Sequence, residues 1–265
     1  MPDPILKKED FLECANLDDL SKKYKEKGIE FKDTEGLYEK AKKDWFLTYI
    51  GLKDLDDLPG TKVVDRGISF YVHGVIHGFR GFKEPSESVK KYIDSKIKDL
   101  EVLLYEEGFK EIFDLKKGIN MRDGKIVPIS EYKFVISSPF YFPSEENPLK
   151  EGREKLLLRS LEDENCFKKA RLIFIGDNIP GRFKLDYLKR KTILNRANIR
   201  SITEMRLDRS KYMAEYMRTY ARQKKYREIH SLVGLNHEND IAYFIKNEKE
   251  TREMRRLVME DLAYP

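Results

Sequence analysis

Along the first fifty residues, apolar positions recur every three or four places. From Lys7 to Lys27 they fall at Phe11, Leu12, Leu17, Leu20 and Tyr24, the spacing of one helix face, and Gly28 stands where a glycine ends a helix. Asp33-Thr34-Glu35-Gly36 opens a second helical pattern, with Leu37, Ala41, Trp45 and Tyr49 on one face and Gly51 as its stop. After the turn Asp57-Leu58-Pro59-Gly60 the pattern changes. Lys62–Val64 and Ile68–Ile76 read as strands, and Pro85-Ser86-Glu87 as a helix start with Ser86 as N-cap. Val89, Tyr92, Ile93 and Ile97 share one face of that helix, and Leu100–Tyr105 is a short apolar run of buried-strand type. Strand, helix, strand at this spacing predicts a βαβ unit with a right-handed crossover and parallel strands.

The middle of the chain is less regular. Ile112–Lys116 reads as a helical turn, Met121–Gly124 as a turn and Glu131–Ile136 as a strand. Pro139, Pro143 and Pro148 mark an irregular stretch suited to a lid. Glu151–Cys166 is a leucine-rich helix, and Ala170–Asp177 is a third buried strand ending in Gly-Asp. Helices follow over Phe183–Asn195 and Ile202–Lys224, the second with Met205, Tyr212, Met213 and Met217 on its apolar side. Glu228–Gly234 is the last strand, and Glu238–Lys246 and Thr251–Leu262 are C-terminal helices.

This alternation predicts an α/β fold: a central, mainly parallel sheet flanked by helices, with an N-terminal helical extension. The extension, residues 1–60, reads as a cover on an α/β domain over 61–265, because no Ser/Gly/Pro-rich linker separates them. Polar residues of interest cluster at strand C-termini, where open α/β sheets bind ligands.

Composition narrows the partners. Of the 265 residues, 37% are charged, against about 25% in an average domain. The signs nearly balance, 52 Lys+Arg against 47 Asp+Glu, so the net +5 does not predict a nucleic-acid binder. Arg206, Arg209, Arg218, Arg222 and Arg227 read as a solvated basic face with interspersed acids. No apolar run approaches the roughly 18 residues of a membrane span, and the N-terminus lacks the pattern of a secretory signal. Cys14 and Cys166 read as free thiols on separate helices, without zinc spacing or a disulfide framework. The expectation is a soluble cytoplasmic protein with no nucleic-acid or membrane partner, self-association being left open.

Candidate chemistry concentrates where strands end. Tyr71–Gly78 carries two of the four histidines, His73 and His77, each followed by a glycine. In an extended strand both would face one side, and Gly74 and Gly78 would admit a close ligand or backbone. The plainer reading is two partly buried histidines bonded to backbone. Glu106 and Glu107 end the next strand and point to opposite faces, so one of them enters any shared site. That carboxylate is either a metal ligand or general base, or a helix N-terminal charge. Arg209 could hold a carboxylate or oxyanion through its forked donors. Gly234-Leu235-Asn236-His237 repeats Gly-x-x-His at a strand-to-helix turn.

In order, these features are Gly74-x-x-His77, a strand ending in Glu106, Arg209-x-x-x-Met213-Ala214, and Val233-Gly234-x-x-His237. The arrangement resembles the TraB family and the related TIKI proteins. It is more distantly similar to the erythromycin esterase and ChaN-like groups. The resemblance covers about Ile68 to Ile245 and leaves out the N-terminal helices. It implies an α/β fold in which both Gly-x-x-His motifs and the glutamate converge, and some members are described as metal-dependent peptidases. His77, Glu106 and His237 would then bind a divalent metal, Mn or Co first and Zn or Fe as alternatives. Glu106 and Arg209 would be catalytic, and His73, Glu107, Gly74 and Gly234 would be supporting neighbours. Ser210 departs from the family, which usually has Asn or Asp after the arginine.

Two imidazoles and a carboxylate suffice for one metal with open positions for water and substrate. The function this implies is a metal-dependent hydrolase acting on a peptide or a small amide or ester. The alternative is a non-catalytic binding or regulatory protein that keeps the fold.

Overall fold

The computed structural model describes residues 5–50, 60–75, 102–106, 118–121, 179–191 and 197–263, with positions 91, 94, 95, 97 and 100 between them. His77, Glu107, Cys166, most of the helix expected after Pro85, the helical turn expected over Ile112–Lys116 and the elements expected over 122–178 lie outside the described residues.

The N-terminal segment folds as helices α1 (Lys8–Glu13), α2 (Leu17–Glu26) and α3 (Thr34–Ile50). The single helix expected from Lys7 to Lys27 is two, because Asn16 acts as an N-cap: its side-chain oxygen accepts the N–H of Asp19 at 3.0 Å. At the end of α2, Gly28 has a φ of +80° and donates to the carbonyl of Lys25, while Ile29 donates to that of Tyr24. This is the paired closure that a left-handed glycine permits. Asp33 accepts the N–H of Gly36 at 2.7 Å and starts α3, whose Leu37, Ala41 and Trp45 are buried.

Strands β1 (Thr61–Asp65) and β2 (Ile68–Val75) form an antiparallel hairpin in which Asp65 pairs with Ile68. The two turn residues, Arg66 and Gly67, both have positive φ, as a hairpin matched to strand twist requires. Next come β3 (Leu103–Glu106), β4 (Ile119–Met121), α4 (Gly181–Arg190), α5 (Ala197–Lys224), β5 (Glu228–Gly234) and α6 (Leu235–Lys246). A 3-10 segment (Glu248–Met254) and α7 (Arg255–Ala263) end the described chain.

The described sheet has the order β1-β2-β5-β3-β4, and every pairing except β1 with β2 is parallel. The architecture is therefore α/β, with a mainly parallel sheet flanked by helices. β2 and β3 run parallel as expected, but β5, from much later in the chain, lies between them. Val75 pairs with Gly234 and Tyr105 with Leu232, so the C-terminal ends of the three inner strands share one edge.

One core packs Phe70, Val72, Leu104, Ile229 and Val233 of the sheet against Met213, Ala214 and Met217 of α5 and Ile241–Ile245 of α6. A second gathers Phe11, Leu20, Trp45 and their neighbours with Phe183 and Leu188 of α4. Buried Arg182 of α4 ties the two together. Its guanidinium donates to the carbonyls of Phe11 (2.7 Å) and Cys14 (3.0 Å) and to Asp240 of α6 (2.9 Å).

Two expectations about side chains are corrected. Cys14 is not on a helix but in the break between α1 and α2, where burial pushes its thiol up to about 12. The arginines of α5 do not form a solvated face. Arg218 is fully buried, donating to Phe244 (2.6 Å), Ile245 (3.0 Å), Glu215 and Thr251, and Arg222 binds Glu248 and Asp65. Among the described residues, no helix is long and apolar enough to cross a membrane.

Candidate functional site

The shared edge of the inner strands brings four of the sequence-selected residues together: Glu106, Arg209, Gly234 and His237. Glu106 is the last residue of β3, and alternation from core-facing Leu104 turns its side chain toward α5 and α6. One carboxylate oxygen, Oε2, accepts the N–H of Gly234 at 2.7 Å. The other, Oε1, accepts from the Arg209 guanidinium and lies 3.8 Å from Nε2 of His237. Glu106 and His237 are both buried, whereas the Arg209 side chain is 28% exposed and reaches the outer margin of the site.

Local chemistry explains each placement. Gly234 is the N-cap of α6 and has no capping side chain of its own, so the Glu106 carboxylate sits at that helix start in its stead. His237 lies in the first turn of α6, with Nδ1 2.8 Å from Oγ of Ser210 on α5. Thus consecutive residues of one helix hold both side chains: Arg209 the carboxylate, Ser210 the imidazole. Of the carboxylate pair, Glu106 enters this cluster, and Glu107 lies outside the described residues.

Gly74 lies beside the same edge. A Cβ there would come within 2.2 Å of Oε2 and 2.7 Å of Cβ of Glu238, so the glycine lets α6 approach β2. Glu238 is buried and accepts from the N–H (3.1 Å) and hydroxyl (2.6 Å) of Thr61 and from Lys8 of α1. Asp240, also buried, accepts from Gly181 (2.8 Å), Arg182 (2.9 Å) and Arg206 (3.3 Å).

Sequence reasoning took His237 from the strand-to-helix turn but missed Glu238 and Asp240, placing them only within a C-terminal helix over Glu238–Lys246. A usable signal was present. The next five residues, Ile241–Ile245, are all apolar, and a helix apolar on every side is a buried one. Ser210 was noted only as a departure from a family pattern, and its contact with His237 was not foreseen.

His73 stands apart from this cluster. Alternation with core-facing Phe70 and Val72 puts it on the other sheet face, 7% exposed, with Nε2 3.0 Å from Nδ1 of His230. His230 Nε2 is 3.0 Å from Glu228, and Tyr71 stacks on the His230 ring at 4.5 Å. Burial first, then the His230 ring and Lys8, push His73 down to about 4.

Among the described residues no group of three or more His, Cys, Asp or Glu side chains is placed to hold a metal ion. His237 and Glu106 supply two such groups, and His77 is outside the described residues. Compared with known proteins, the chain matches no family model, no curated protein and no solved structure.

Proposed function

We propose that this chain is a metal-dependent hydrolase of the TraB/TIKI type, acting on a peptide or a small amide or ester. The observation that carries the reading is the pairing of His237 Nε2 with Glu106 Oε1 at 3.8 Å, both buried, at the C-terminal edge of the inner strands. An imidazole nitrogen and a carboxylate oxygen so placed are donors of the kind a divalent ion takes, at a separation too long for a direct hydrogen bond. Mn, Co, Zn or Fe would take His237 and Glu106 as two ligands, and His77, outside the described residues, is proposed as the third.

A bound divalent ion would supply Lewis acidity toward a carbonyl and an acidified water. The remaining work falls to the chain. Glu106 already has donors on both oxygens, so it serves better as a fixed negative ligand than as a proton acceptor. Arg209, partly exposed and paired with Glu106, would steady negative charge that develops on a substrate oxygen.

The same saturation of Glu106 favours a second reading. A carboxylate that caps α6 and grips Arg209 also suits a tie between β3, α5 and α6 in a non-catalytic binding or regulatory protein.

One assay separates them. Protein stripped with chelator is tested on fluorogenic peptide and ester pools with Mn, Co, Zn or Fe returned in turn. The hydrolase reading expects turnover that depends on added metal and disappears in a folded His237→Ala variant. No turnover under any metal, from protein shown to be folded, overturns it in favour of the second reading.

A further inference from the structure

We infer that Ser210 is a positioning residue that fixes the tautomer of His237, keeping the proton on Nδ1 and the lone pair on Nε2. The Ser210 hydroxyl lies 3.0 Å from the backbone carbonyl of Arg206 and 2.8 Å from His237 Nδ1. A hydroxyl has one proton to give. A carbonyl oxygen can only accept, so the Arg206 contact takes that proton. If Ser210 instead donated to Nδ1, two oxygens with no proton between them would be held 3.0 Å apart in a buried place. The Ser210 oxygen must therefore accept, and Nδ1 of His237 must carry hydrogen.

The lock is rigid because both partners are. Ser210 is fully buried, in the middle of a 28-residue helix, with its hydroxyl back-bonded four residues to Arg206. His237 is 5% exposed, in the first turn of α6. With hydrogen on Nδ1, the ring in its neutral form would turn its basic nitrogen, Nε2, toward the Glu106 side, 3.8 Å from Oε1. With Arg209 aligning Glu106, one turn of α5 orients both side chains. A hydroxyl oxygen orients the imidazole without adding charge, whereas a carboxylate in its place would also make the ring more basic.

The tautomer assignment stands on hydrogen-bond geometry alone. Its consequence for metal binding rests on the reading under Proposed function, and the experiment keeps the two separate. Uniformly 15N-labelled, metal-free protein is examined by long-range 1H–15N correlation at mildly alkaline pH. The His237 signals, assigned by their loss in His237→Gln, should show a protonated Nδ1 and an unprotonated Nε2. Ser210→Ala should move the ring toward the other tautomer or a mixture, and Ser210→Thr, which keeps the hydroxyl, should restore the wild-type pattern.

Zinc titration of the same proteins should give about 10–100-fold weaker binding in Ser210→Ala and recovery in Ser210→Thr. A wild-type ring protonated on Nε2, or an unchanged His237 spectrum in folded Ser210→Ala, overturns the inference. The wild-type spectrum decides the matter even if the alanine variant does not fold. The expected tautomers with no zinc binding by the wild type would leave Ser210 its role and count against the metal reading.

Discussion

Oε1 of Glu106 and Nε2 of His237 lie 3.8 Å apart, although one ends β3 and the other opens α6. They meet because β5 slots in beside β3, so the turn that starts α6 leaves the sheet next to the end of β3. Arg209 and Ser210 then grip one side chain each.

The grip on Glu106 is measurable as a coupling. Arg209→Met leaves a buried carboxylate with one fewer donor and should destabilise the protein by about 1–3 kcal/mol in urea unfolding. Glu106→Gln alone should also destabilise. The double variant should cost less than the sum, with a coupling of about 0.5–3 kcal/mol. Simple additivity would show that the two side chains do not act together.

The acid side of the stability profile should carry the mark of His73. Its value falls from an ordinary 6.5 to about 4 in the folded chain, because burial, then His230 and Lys8, oppose its charge. The unfolded chain therefore binds a proton through the window from about 6.5 down to 4 while the native one does not, and stability drops as pH falls through it. The loss from this group should be on the order of 3 kcal/mol. Urea midpoints measured across that window should slope less in His73→Gln than in the wild type. Equal slopes would contradict this account of His73.

Much of the scaffold was legible from local pattern. The strand Glu228–Gly234 has the expected bounds, since a strand-like run closed by glycine needs no distant information, and Gly28 ends α2 as its position implied. Strand order was not legible. Nothing local tells β5 to enter between β2 and β3, because that choice is made by packing against α5 and α6. The hairpin was missed because Arg66-Gly67 was not recognised as a turn with two positive φ angles. Burial of charge was the other blind spot. Arg218, Glu238 and Asp240 look like surface residues until their partners on other elements are known. The His73–His230 contact likewise depends on the parallel register of β2 and β5, which places Tyr71 opposite His230.

Gly74 tests the close approach of α6 to β2. An added methyl would meet both the carboxylate and Cβ of Glu238, and the latter cannot swing aside as a chain end can. Gly74→Ala should cost about 1–3 kcal/mol by thermal or urea unfolding. Pairing it with Glu238→Ala, which removes the carboxylate but keeps Cβ, should leave part of the penalty. A neutral Gly74→Ala would mean that the helix has room to move.

Arg218 and Arg255 both bind Glu215, yet their removal should differ sharply. Arg218 is fully buried and also holds the carbonyls of Phe244 and Ile245, so Arg218→Ala should cost about 3–5 kcal/mol. Arg255 is 48% exposed, so Arg255→Ala should cost no more than about 1 kcal/mol. Similar losses from the two would show that burial does not govern this network.

The proposed metal pair is tested most directly by the metal content of protein purified without chelator. Near-stoichiometric Mn, Co, Zn or Fe is expected in the wild type, with most of it lost in folded His237→Ala and Glu106→Gln variants. A wild type that carries no such metal and takes none up on dialysis would contradict the assignment of His237 and Glu106 as its ligands.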